Sequence, residues 1–262
     1  MKIIGQLHPL KFRPLGCALA LSTLAGCAWP PVVPQQASET RAVPERLPLV
    51  FQAADKAQWE PMPLPGKLRT VFRQTRHDGR SSLEARAQGS ASMLRQRVRI
   101  APEQLGPIRF NWQVAQLIAG ADMTVRELED SPARVVLAFD GDRSRFSARN
   151  AMLNELTRSL TGEEMPYAML MYVWSNTLPV DTVIVNPRTD RIRKIVVESG
   201  PARIKQWLTY RRDVRADYER AFGEPPGVLQ GIAIMTDSDN TRGFAQAWYG
   251  EIRLEAQAAA SD

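Results

Sequence analysis

Between Ile108 and Val114 the chain alternates strictly, with Ile108, Phe110, Trp112 and Val114 on one side and Arg109, Asn111 and Gln113 on the other. A period of two sends alternate side chains of an extended strand to opposite faces, one toward a core and one toward water. Similar short runs are read at Leu68 to Arg73, Ser82 to Ala87, Met93 to Ile100, Arg134 to Phe139, Ala168 to Trp174, Thr182 to Val185, Ile192 to Glu198, Leu229 to Met235 and Trp248 to Leu254. About ten strands separated by turn signals predict a mainly β chain, an antiparallel sandwich or barrel rather than alternating βαβ units.

Two stretches change to helical spacing. Ala148 to Leu160 places Ala151, Leu153, Leu156 and Leu160 three or four residues apart and closes on Gly162. Gln206 to Phe222 carries Trp207, Tyr210, Val214, Tyr218 and Ala221 as a stripe to be buried, with Arg212, Asp213, Arg215, Glu219 and Arg220 on the solvated side. Gly223 supplies a left-handed cap there, and Pro225-Pro226 forbid continuation.

The N-terminal region has a different logic. Lys2, Lys11 and Arg13 precede an apolar stretch from about Leu15 to Leu24, and Leu24-Ala25-Gly26-Cys27 then places one thiol after two small residues. That is a lipobox. The apolar stretch is shorter than the ~20 residues of a membrane span. Cleavage before Cys27 leaves an acylated N-terminus, and each buried CH2 of the acyl chains adds about 0.8 kcal/mol of membrane affinity. Ala28 stands where an aspartate would favour inner-membrane retention, so the expected location is the outer membrane, facing the periplasm or the surface. From Ala28 to about Pro48 the prolines at 30, 31, 34, 44 and 48 prevent regular structure and make a tether. The expected organisation is a signal peptide over 1–26, a tether over 27–48, one β-sandwich domain over 49–256 and a flexible tail over 257–262.

Composition removes several chemistries. The net charge of +6 falls to +3, 31 basic against 28 acidic residues, once Lys2, Lys11 and Arg13 leave with the signal. No nucleic-acid partner is expected from that balance. Cys17 and His8 lie in the signal and Cys27 is the acyl acceptor, so the mature chain has no disulfide and only His77 as an imidazole. A Cys/His zinc site needs more ligands than that. His77 sits in Arg76-His77-Asp78-Gly79, a turn between strands, where it is expected to be solvated.

The densest polar loop is Asp237-Ser238-Asp239-Asn240-Thr241. Alternating oxygens at Asp237, Asp239 and Thr241 suit a hard cation such as Ca2+, although Arg242 and Trp248 stand where an EF-hand requires glycine and glutamate. The bland alternative is a loop whose Asp and Asn side chains bond their own backbone. Trp112 shares its face with Phe110 and Val114 and reads as core, whereas Trp174, near a strand end beside Ser175 and Asn176, is the candidate stacking platform. Arg95, Arg97 and Arg99 alternate along one strand, which suits either an anion-binding face or a solvated edge. Asp122, Glu127, Glu129 and Asp130 form an acidic stretch that could supply a glycosidase-like carboxylate pair or pair with Arg126 and Arg134.

A longer run of motifs carries a family resemblance. In order, these include Ser90-Ala91-Ser92, Asn111-Trp112-Gln113-Val114, Ala121-Asp122 and Asp130-Ser131-Pro132-Ala133-Arg134-Val135. Then come Tyr172-Val173-Trp174-Ser175, Val197-Glu198-Ser199-Gly200, Trp207, Arg212-Asp213-Val214, Asp217-Tyr218 and Phe222-Gly223. Ile232-Ala233-Ile234-Met235, the loop through Thr241, and Tyr249-Gly250-Glu251-Ile252 close the series. From about Trp59 to Leu254 the chain resembles the bacterial family called domain of unknown function 3047, which implies no established activity. More loosely, the layout resembles jelly-roll sandwiches of the galactose-binding-like and carbohydrate-binding-module kind, and such folds host many functions. The resulting expectation is an envelope lipoprotein whose sandwich binds a glycan or envelope ligand without catalysis, through Trp174, Asp237, Asp239 and Asn240. The rival readings are a carboxylate-based glycan hydrolase and a structural partner in an envelope complex, contacting another protein through the Ala148 to Leu160 insertion.

Overall fold

The computed structural model describes residues 47–256. Cys27, the signal sequence, most of the proline-rich tether and the 257–262 tail lie outside the described residues. The first six strands are β1 (Leu49–Gln52), β2 (Glu60–Pro63), β3 (Val71–His77), β4 (Arg80–Gln88), β5 (Ala91–Ile100) and β6 (Leu105–Val114). Next come β7 (Ser131–Phe139), α1 (Ala148–Thr161), β8 (Ala168–Ser175), β9 (Val183–Val185), β10 (Ile192–Ser199) and β11 (Leu208–Asp213). The chain closes with α2 (Val214–Phe222), β12 (Leu229–Asp237) and β13 (Phe244–Ala256). Among the described residues no helix is long and apolar enough to cross a membrane.

The strands form two sheets. One runs β11-β6-β13-β4-β3, with β1 also on β13, and the other runs β2-β5-β12-β7-β8-β10-β9. Pairing is antiparallel except between β8 and β10, which run parallel. The 13-residue β13 is long enough to pair first with β4, through Phe244–Tyr249, and then with β1, through Glu251–Leu254. Between the sheets Leu83, Phe110, Trp112, Tyr249 and Ile252 pack with Val135, Leu137, Leu170, Tyr172, Ile232 and Ile234. This is the mainly β sandwich with two helices that the alternation predicted.

The outer face of the seven-stranded sheet is also apolar. Met93, Met171, Met235, Val136 and Val173 are buried there under Met123, with Met62 and Leu64 at the margin. Central strands covered on both faces lose the clean alternation of a half-buried strand. Arg95 and Arg97 project from this face of β5, but they are neither free nor on an edge strand. β5 lies between β2 and β12, and both arginines bond Glu60 and Glu163.

Two expectations about helices change. The helix expected from Gln206 begins only at Val214, because Leu208, Tyr210 and Arg212 also fit period two and pair with Trp112, Phe110 and Ile108 of β6. Asp213 then caps α2 by accepting a hydrogen bond from the Ala216 N–H. In α1 the face against the domain is polar. Asn150 donates to Asp190 and accepts from Thr189, and Asn154 accepts from the Met165 N–H. Met152, Leu156 and Leu160 are instead 63%, 53% and 60% exposed.

Candidate functional site

The loop after β12 is drawn into a buried ionic network. Asp237, the last residue of β12, faces Arg134 on the adjacent β7, whose guanidinium donates two hydrogen bonds of 2.8 and 2.7 Å to its two oxygens. Asp130, just before β7, accepts from the Asn240 N–H, the Thr241 N–H and the Thr241 hydroxyl. Asp239 pairs with Lys67, and the Asn240 side chain donates to the Arg126 carbonyl. Glu129 receives Lys194 Nζ at 2.5 Å and the Asn186 amide, with Arg188 at 3.5 Å. The acidic residues Glu129, Asp130, Asp237 and Asp239 are thus matched by Lys67, Arg134, Arg188 and Lys194.

Carboxylate oxygens of Asp130, Asp237 and Asp239 lie within 4.8 Å of one another and are the set that could hold a cation. Their geometry already serves another purpose. Arg134 fills the approach to both Asp237 oxygens, and the Thr241 hydroxyl donates to Asp130. Burial pushes the Asp237 carboxyl up to about 6 against the pull of Arg134. Desolvation, reinforced by Arg134, pulls the Lys194 ammonium down to about 8. The arrangement ties the ends of β7 and β12 and the middle of β10 together.

Trp174 is not a platform. It is fully buried between the sheets, and its indole N–H donates to the Gly200 carbonyl at 3.1 Å. Near a strand end in sequence, it is nevertheless covered by the turn through Gly200. Trp174 and the Asp237 loop therefore do not form one open groove.

A different surface gathers aromatic side chains, on the outer face of the six-stranded sheet. Along β13, Ala245, Ala247 and Tyr249 point inward, so Phe244, Gln246 and Trp248 point outward. Trp248 lies between Gln113 of β6 and Glu84 of β4. Trp207 precedes β11, whose Leu208 pairs with Trp112, and so comes alongside Gln113. On the other side the β3–β4 hairpin turns through Asp78 and Gly79, with φ of 47° and 75°, the positive values of a type I′ turn. This turn sets His77 opposite Arg80. The His77 ring stacks on Trp248 with centroids 3.7 Å apart. Trp207 is 6.4 Å from His77, and the Arg80 guanidinium sits 5.4 Å from the Trp207 ring centroid.

Polar groups underlie these half-buried rings. Gln113 is buried and donates to Asp78 at 3.1 Å, and Glu84 accepts from Gln246 at 2.5 Å. Gln113 Oε1 and Trp207 Nε1 are buried without a hydrogen-bond partner. Flat aromatic faces beside amide and guanidinium donors can stack the apolar face of a sugar ring while bonding its hydroxyls. In the sequence Trp207 reads as a buried helical position and His77 as a solvated turn residue, so neither stands out as part of a site. The signal available was the 244–249 alternation, which opposes two alanines and Tyr249 to Phe244, Gln246 and Trp248.

A family model described as "Protein of unknown function (DUF3047)" matches residues 57–253. The chain belongs to that family. Among curated proteins none matches the sequence. Among solved structures, an endoglucanase from Rhodothermus marinus is similar at 11% identity and a TM-score of 0.44, over 81% of this chain and 99% of that one. A low-affinity xylan-binding module from Roseburia intestinalis is similar at 12% identity and a TM-score of 0.32, over 82% of this chain and 100% of that one. The glycoside hydrolase domain of Endo-D from Streptococcus pneumoniae R6 is similar at 9% identity and a TM-score of 0.31, over 78% of this chain. This chain spans only 22% of that last structure.

Proposed function

We propose that this member of the DUF3047 family is a non-catalytic glycan-binding protein of the bacterial envelope, held at the membrane by acyl chains on Cys27. The observation that carries the binding reading is the aromatic surface of Trp207, His77 and Trp248, set on a rigid sheet over the amide of Gln113. Rigid sheet positions hold rings with little conformational freedom to lose on binding. Aromatic residues kept outward on a strand whose inward positions are apolar need an explanation that core packing does not supply.

Catalysis by a carboxylate pair receives no such support. Asp237 is engaged by Arg134, and Asp130 by the Asn240 and Thr241 N–H groups of the loop after β12, so neither is free to move a proton to a substrate.

The test is affinity electrophoresis of the soluble domain through gels containing purified envelope polysaccharides, with peptidoglycan sedimentation in parallel. Trp248→Ala and Trp207→Ala are expected to lose retardation and co-sedimentation while melting normally. Wild-type mobility unaffected by every polysaccharide would overturn the reading. The anchor is tested separately, by mass spectrometry of the N-terminal peptide of the membrane-extracted protein, which is expected to begin at acylated Cys27.

A further inference from the structure

We infer that the saccharide taken by this surface carries an oxyanion, and that Arg80 binds it; the inference rests on the glycan-binding reading above. Arg80 occupies the first position of β4, immediately after the turn, and the hairpin pairing with His77 fixes where its backbone lies. Its guanidinium rests against the Trp207 ring, and among the described residues no carboxylate lies within ion-pair distance of it.

The acids beside it are engaged elsewhere. Asp78 accepts from Gln113 and lies 3.6 Å from His77 Nε2. Glu84 is buried under the rings, accepting from Gln246 with Arg86 at 3.9 Å. Arg80 therefore carries its charge at the edge of the rings with no ion-pair partner among the described residues. A guanidinium laid against an aromatic ring keeps its in-plane N–H groups directed outward, where they can fork onto a carboxylate or phosphate.

The rings and the guanidinium divide the recognition. Trp207, His77 and Trp248 offer flat apolar area that any pyranose could cover. Arg80 stands at the border of that area and discriminates by charge. A uronic acid and a phosphorylated sugar present the same chemistry to it, so the experiment separates those two sources.

Binding is measured by calorimetry at low and moderate salt. The probes are polygalacturonate and hyaluronan beside their carboxyl-reduced forms, and phosphomannan beside its dephosphorylated form. The expected result is that at least one anionic polymer binds about tenfold more tightly than its neutral counterpart, with the difference shrinking as salt rises. In Arg80→Gln the preference disappears and neutral binding remains, whereas Trp248→Ala removes both. The pair that shows the preference identifies the oxyanion. Equal affinity within every pair, or a preference that survives in a normally melting Arg80→Gln, overturns the inference but leaves the glycan reading standing. Failure of all six polymers to bind overturns both.

Discussion

The imidazole of His77 lies parallel to the indole of Trp248, with 1° between the ring planes and 3.7 Å between their centroids. One ring belongs to a hairpin end and the other to the middle of β13, so the stack joins the β3–β4 turn to the centre of its sheet. His77, expected from the sequence to be solvated in a turn, is half-buried and is part of the aromatic surface.

Removing the imidazole tests how far this stack holds the surface together. His77→Ala is expected to lower stability by at most about 1.5 kcal/mol, the upper range for an aromatic pair. It should also alter the near-ultraviolet circular dichroism of the tryptophans. An unchanged spectrum would show that Trp248 is held without His77.

Lys194 and Glu129 form an ion pair in which both side chains are buried. Lys194→Met leaves the Glu129 charge without its closest cation and is expected to cost about 3–5 kcal/mol in urea unfolding. Adding Glu129→Gln removes the stranded charge and should restore most of the loss. If the double variant is no more stable than Lys194→Met, the pair is not the source of the cost.

Trp174 offers a check on the corrected reading. Trp174→Ala opens a large cavity between the sheets and is expected to lose about 3–5 kcal/mol. Trp174→Phe, which keeps most of the volume, should retain polysaccharide binding at a temperature where it is folded. Loss of binding in a folded Trp174→Phe would return that residue to the site.

Acid should loosen the contact between α1's C-terminal end and β5. Hydrogen bonds from Arg95, with Arg97 adding to them, hold Glu60 and Glu163 down at about 2, below their ordinary 4.5. A depressed carboxyl stabilises the fold above its unfolded value and loses that contribution as pH falls from about 4.5 toward 2. Both carboxylates are largely solvent-accessible, so the contribution is expected to stay below about 1 kcal/mol. Thermal melts between pH 6 and 2 should fall less steeply for the Glu60→Gln/Glu163→Gln double variant than for the wild type.

The exposed apolar side of α1 gives a negative expectation. Met152→Lys and Leu156→Lys should each change stability by no more than about 0.5 kcal/mol, because neither side chain is packed against the domain. A larger loss in either melt would mean that the helix buries that side.

The architecture was legible where one face of a strand is wet. Ile108 to Val114 reads correctly because Arg109 and Asn111 are not in the core while Phe110 and Trp112 are. The same rule fails on β8, where Met171 and Val173 are buried on one face and Tyr172 and Trp174 on the other. There the sequence offers no polar side, and proximity to a strand end was a poor guide to exposure. β11 was read as helix because Trp207, Tyr210 and Val214 fit the helical spacing, while Leu208, Tyr210 and Arg212 fit period two, and only the available edge of β6 decides between them. In α1 the apolar spacing was real, but Asn150 and Asn154 find specific polar partners, and those bonds set which side faces inward. The loop after β12 reads as dense in oxygen, yet the cations that meet it are Arg134 at Asp237 and Lys67 at Asp239, while Arg188 and Lys194 meet Glu129, each distant in sequence from its partner.

β13 joins β6 on one side to β4 and then β1 on the other, pairing Leu49 with Leu254. Until that strand emerges from the ribosome, the β4 and β6 edges that it will separate have no shared partner, and the earliest strand has nowhere to add. Assembly must await contacts about two hundred residues apart, an ordering that makes for slow folding. A chain synthesised from its N-terminus therefore remains threadable until β13 has been made.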